Sequence, residues 1–158
     1  MTNLSHKKAF TMIELILVII IIGILAAIAV PKLKANRDDA EIVKMIANTR
    51  TVLGNFATYY TTKGPTNWKS AKVVSTTSVL LETSCEVLAN TETELSPAEF
   101  VFCNDSKECL VLNTEDGGIL TISAGDDIGD TVCNAVLSDA SMQNMLKKFY
   151  LGGKRVTR

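Results

Sequence analysis

The hydrophobic pattern changes period twice along the chain. From Phe10 to Val30 the residues are apolar almost without interruption, and Glu14 is the only charge among them. These 21 residues span about 32 Å as a helix at about 1.5 Å per residue. That length crosses a bilayer hydrocarbon core of about 30 Å. Beyond Pro31 the pattern becomes amphipathic. Ile42, Ile46, Thr49, Leu53, Phe56 and Tyr60 recur at spacings of 4, 3, 4, 3 and 4, with Lys44, Asn48, Arg50 and Asn55 off the stripe; such spacing predicts one apolar helix face. Gly64–Pro65 predicts a stop. The two stretches together predict a nearly continuous helix from about Phe10 to Thr62, apolar all round in its first half. The second half needs a sheet or other helices to cover its face.

Residues 66–98 are rich in Ser, Thr, Asn and Glu, with apolar patches at Val73–Val74 and Val79–Leu81, and predict an irregular connection. The period then shortens to two. Glu99–Cys103 and Cys109–Asn113 predict strands flanking a turn at Asn104–Lys107. Asp116–Gly117–Gly118 is a hairpin signal before a third strand, Ile119–Ile122. Asp130 is positioned to cap a short helix through Cys133, Val136 and Leu137. Ser138 or Asp139 is placed to cap a second one, carrying Met142, Met145, Leu146 and Phe149 and ending at Gly152–Gly153. The expected fold class is α+β, a long N-terminal helix packed on a small antiparallel sheet with short C-terminal helices. Three parts are expected: a leader at 1–9, the long helix at 10–62 with its membrane-spanning part at 10–30, and a globular head at 63–158.

Charge and chemistry narrow this picture. The net charge of −1 over 158 residues gives no global basic field for nucleic acid. His6 is the only histidine, so without the leader no imidazole remains for a Ser–His or Cys–His pair or an imidazole zinc site. Four cysteines, Cys85, Cys103, Cys109 and Cys133, lie in the second half, and none shows CxxC spacing. An even number beyond a membrane helix points to disulfides in an oxidising compartment, hence N-terminus inside and head outside. Of three connectivities, the preferred one bridges Cys103 to Cys109 across the tight turn and leaves Cys85 with Cys133. No small-residue cleavage site follows Val30, so the apolar segment is expected to be retained. A carboxylate inside such a segment costs about 2.5–3.5 kcal/mol at a helix centre and marks a functional group. Gly23, Ala26, Ala27 and Ala29 permit close approach of another helix.

With those residues in view, Lys7 to Lys34 resembles the type IV pilin and type II secretion pseudopilin superfamily. The resemblance rests on the basic leader (Lys7, Lys8), a small residue before Phe10, Glu14 five residues after that junction, the long Ile/Leu/Val/Ala run and Pro31 at its end. Family members mostly carry Gly where Ala9 stands. The resemblance implies that a prepilin peptidase cuts between Ala9 and Phe10 on the cytoplasmic face and N-methylates Phe10. It implies an inner-membrane subunit that enters a homo- or hetero-polymer through an assembly platform and its ATPase. It further implies that Glu14 pairs with the Phe10 amine of a neighbour, and that the helix between Gly23 and Pro31 loosens on assembly. Secretion-type members bind calcium in a C-terminal acidic loop, and Asp126, Asp127 and Asp130 offer oxygen ligands there. Their spacing matches no EF-hand loop, so a solvated acidic turn is the favoured reading and no cofactor is expected. The roles that follow are protein secretion, DNA uptake or surface attachment. Two alternatives compete: a single-pass membrane protein with a non-polymerising binding domain, and a minor subunit that binds DNA through Lys147, Lys148, Lys154, Arg155 and Arg158.

Overall fold

The computed structural model describes residues 10–89 and 92–153. It forms two compact units, Met1–Asp38 and Asp39–Arg158, and the helix α1 (Met12–Lys69) runs through both. In the first unit every residue from Phe10 to Arg37 is exposed. A helix apolar in every direction has no single face to bury, and here Ile24 and Leu25 stay 61% and 62% exposed. Among the described residues α1 is the one helix long and apolar enough to cross a membrane.

The second unit is α+β, as expected. Its part of α1 buries Met45, Ile46, Thr49, Val52 and Phe56. The buried stripe is centred one residue away from the expected line, with Ile42, Leu53 and Tyr60 at its margin. Thr49 can lie on this face because its hydroxyl donates to the Met45 carbonyl at 2.8 Å.

Gly64 breaks the helix with φ 79, a conformation glycine adopts without penalty. The expected stop at Gly64–Pro65 falls at this break, where the first helix ends and a second, short one follows. Pro65 suits the first position of a new turn, where no N–H is needed, and helix continues to Lys69. This turn carries Trp68 into the core, where it is fully buried. Its ring meets Phe56 and Tyr60 edge-on, with centroids 5.7 and 5.6 Å apart. Its indole N–H donates to the Glu115 carbonyl at 3.2 Å.

The sheet has six antiparallel strands, not three. They are β1 (Glu82–Ser84), β2 (Val87–Leu88), β3 (Ala98–Asn104), β4 (Lys107–Glu115), β5 (Ile119–Ala124) and β6 (Lys148–Tyr150). Their spatial order is β2-β1-β3-β4-β5-β6. Phe100 faces Leu112, Leu112 faces Ile122, and Thr114 faces Leu120 in register; all are buried. Both edge strands are short, which limits unpaired edge. A 3-10 turn at Val73–Ser75 occupies part of the expected irregular connection, and the Ser96–Pro97 bond before β3 is cis.

The C-terminal part departs from expectation. Helix α2 (Thr131–Ser138) is capped by Asp130, and α3 (Ala140–Gln143) by Asp139. However, α3 does not extend to Phe149. That residue lies in β6 opposite Leu120, because pairing with the open edge of β5 satisfies backbone that another helical turn would have satisfied internally.

The disulfides also differ from the preferred pairing. They join Cys85 to Cys103 and Cys109 to Cys133. Register explains the difference. Phe102 faces Leu110 but Cys103 faces Glu108, so Cys109 is the extra residue of a bulge and has no cross-strand place beside Cys103. β1 lies on the other side of β3, which brings Cys85 to Cys103.

Trp68→Ala is expected to destabilise the head by about 3–5 kcal/mol, the usual cost of emptying an aromatic core site. Denaturant titration of the full chain in detergent, followed by circular dichroism, measures this. A change under about 1 kcal/mol would contradict the packing described.

Candidate functional site

The N-terminal segment is held by a local device at the first turn of α1. Thr11 precedes the helix, and its side-chain oxygen lies 3.3 Å from the Glu14 backbone N–H, which donates to it. Glu14 reaches back, and its Oε2 accepts from the Thr11 backbone N–H at 2.8 Å and from its hydroxyl at 2.7 Å. This reciprocal Thr-x-x-Glu arrangement is a capping box, which satisfies donors that the first turn leaves open. Sequence reasoning assigned Glu14 to assembly and overlooked Thr11, although the three-residue spacing was itself the signal. A carboxylate has about four lone-pair positions, so the two bonds at Oε2 do not exhaust it. Phe10 is 82% exposed. Ala9 and the basic leader lie outside the described residues.

Gly23 and Pro31 both sit inside α1. A Cβ on Gly23 would meet nothing within 4 Å, so that position presents bare backbone to whatever surrounds the helix. Pro31 has no N–H, which leaves the Ala27 carbonyl without its helical donor. The segment thus carries a backbone weak point next to the end of its apolar run.

The acidic loop of the head performs structural tasks. Asp130 Oδ1 accepts from Val132 N at 3.0 Å, Cys133 N at 3.1 Å and Asn104 Nδ2 at 3.3 Å. Asp127 Oδ2 accepts from the Glu108 backbone N–H at 2.9 Å, and its Oδ1 lies 3.6 Å from Lys107 Nζ. Asp126 is exposed. Gly125 is required here, since a Cβ would lie 2.5 Å from the Glu108 carbonyl oxygen. Among the described residues, the group of acids and thiols with ligand atoms within 4.8 Å of one another is Cys109, Asp130 and Cys133. Cys109 and Cys133 are joined in a disulfide and offer no thiolate.

The basic C-terminal residues are divided. Lys148 pairs with Glu115 at 3.2 Å, and Lys147 lies 5.4 Å over the Phe149 ring. Lys154, Arg155 and Arg158 fall outside the described residues.

Residues 4–30 match the family described as Prokaryotic N-terminal methylation motif. No curated protein and no solved structure gives a significant match to the chain. The N-terminal segment is therefore of the prepilin type shared by type IV pilins and pseudopilins. With its long apolar helix, the chain fits a pilin-type subunit, which points to a structural role.

The hydrogen bond from Cys133 N, aided by those from Asn104 and Val132, holds the Asp130 carboxyl below the ordinary carboxylate value. A depressed carboxyl contributes fully above its unfolded value of about 3.9 and loses that contribution as pH falls through the folded value. Asp130→Ala is thus expected to destabilise the head by about 1 kcal/mol near neutrality. The gap from wild type should close as pH drops below about 4. Melting temperatures of both chains between about pH 2 and 7 test this; a gap unchanged at the acid end would contradict it.

Proposed function

We propose that the chain is a polymerising subunit of a type IV pilus or a type II secretion-like pseudopilus, serving protein secretion, DNA uptake or surface attachment. The observation that carries this reading is the match of residues 4–30 to the methylation motif, together with a helix whose apolar part from Met12 to Val30 is exposed throughout. A helix with no polar side requires lipid or other apolar helices around it, and a polymer core supplies the second.

Before assembly the subunit is held in the inner membrane, N-terminus cytoplasmic and head periplasmic. The two disulfides favour the head on the oxidising side. A prepilin peptidase cuts Ala9–Phe10 and methylates the new Phe10 amine. That cut creates a cation one residue before the Thr11–Glu14 box. Glu14 then has two partners of different range, Thr11 within its own helix and the Phe10 amine of a neighbouring subunit. Pairing offsets the cost of placing the carboxylate in a low-dielectric core. The backbone weak point between Gly23 and Pro31 lets the helix loosen as subunits pack. The assembly platform and its ATPase draw the subunit out of lipid and into a homo- or hetero-polymer.

The test is Glu14→Ala in cells that assemble the polymer. Removing one partner of a buried pair costs about 3–5 kcal/mol, so sheared filament yield is expected to fall more than about tenfold. The membrane-bound pool should persist, because the substitution removes an intramembrane charge. Filaments at the wild-type level would contradict the pairing.

A further inference from the structure

The two disulfides occupy different surroundings. Cys109 and Cys133 are both fully buried in the core, and their bridge joins α2 to β4. A reagent reaches that bridge only when the packing around it opens. Cys85 and Cys103 are half-buried, and Cys103 lines a cavity of about 540 Å³ between α1 and the β1–β2 hairpin. Access to the attacking thiolate is one of the factors that set the rate of disulfide exchange. Here it favours Cys85–Cys103.

The hairpin that this bridge fastens has little else to hold it. It spans residues 82–88, and none of its side chains is buried. Val87 and Leu88 are 54% and 53% exposed. Its ladder to β3 rests on the pair Glu82 and Val101, and β2 is two residues long. The chain is anchored just outside it. Leu81 is buried in the core, and its carbonyl accepts from the Ala89 N–H at 2.8 Å. A segment with fixed ends, a short ladder and no buried side chain has low local stability. Beneath it runs β3, seven residues long, with β1 as the strand that covers its outer edge.

We propose that Cys85–Cys103 is a redox-sensitive latch. A dithiol reductant opens it while Cys109–Cys133 stays closed, which releases the β1–β2 hairpin and bares the β3 edge. One thiolate of the dithiol attacks Sγ of Cys85 or Cys103, breaking the protein S–S bond and forming a mixed disulfide. The second thiol of the reductant then attacks that mixed disulfide. Two electrons and two protons pass to the protein as two cysteine thiols, and the reductant leaves as its own disulfide. The latch lies wholly within the head, so it holds whether or not the chain polymerises.

The full-length chain in detergent is exposed to graded dithiothreitol, its thiols are trapped with N-ethylmaleimide, and the peptides are mapped by mass spectrometry. Cys85 and Cys103 are expected to be trapped at least about tenfold faster than Cys109 and Cys133. Hydrogen exchange of the selectively reduced chain should then be at least about tenfold faster at residues 82–88 and unchanged in β4 and β5. Cys85→Ser/Cys103→Ser should show the same fast exchange at residues 82–88 without reductant. Reduction of Cys109–Cys133 first or at the same rate would overturn the latch. So would slow exchange at residues 82–88 in the reduced chain or in the double variant.

Discussion

One helix has to satisfy two surroundings, and most of the structure follows from that constraint. The first part of α1 is apolar in every direction and finds no cover among the described residues of the chain. The second part is amphipathic and finds its cover in the head. The first requirement makes this part of the helix depend on an apolar surrounding, lipid or other apolar helices. The second fixes the head, because a sheet must be built whose inner residues match the stripe from Met45 to Phe56.

The head locks itself at two places. At one, Trp68 packs on Phe56 and Tyr60, while Tyr60 donates to the Gly117 carbonyl at 2.9 Å. Lys69 pairs with Asp116 beside it at 2.9 Å. Any Cβ at Gly118 would overlap the Tyr60 ring at 2.3 Å, so the hairpin that begins at Asp116 owes its close docking to that glycine. At the other, Cys109–Cys133 ties α2 to β4, while Asp127 of the β5–α2 loop bonds to Glu108 of β4 and Asp130 caps α2. The acidic loop thus reads first as a fastening.

Much of the fold was legible because strong periodicity has few competing explanations. The membrane-length run, the strands from Glu99 to Ile122 and the Asp130 cap appear where the pattern put them, and the helical stripe appears one residue off its expected line. What escaped were elements fixed by tertiary contact. β1 and β2 are three and two residues long, too short to show a period, and they form because β3 has an open edge. β6 was mistaken for helix because Met142, Met145, Leu146 and Phe149 keep a helical spacing that the edge of β5 overrides. The disulfide pairing depended on a one-residue bulge at Cys109, which no sequence pattern announces. In the N-terminal segment the reverse held. Residue types and spacing carried the motif, while the Thr11 half of the capping box was visible but overshadowed by the anomaly of a charge in an apolar run.

In the function proposed above, Glu14 and the apolar helix belong to a subunit made competent by cleavage before Phe10. Intact-mass and N-terminal peptide mass spectrometry of the protein recovered from membranes and from sheared filaments tests it most directly. The expected result is a chain that begins at an N-methylated Phe10 and keeps the apolar segment. A chain that still begins at Met1, or one cut after Val30, would contradict it.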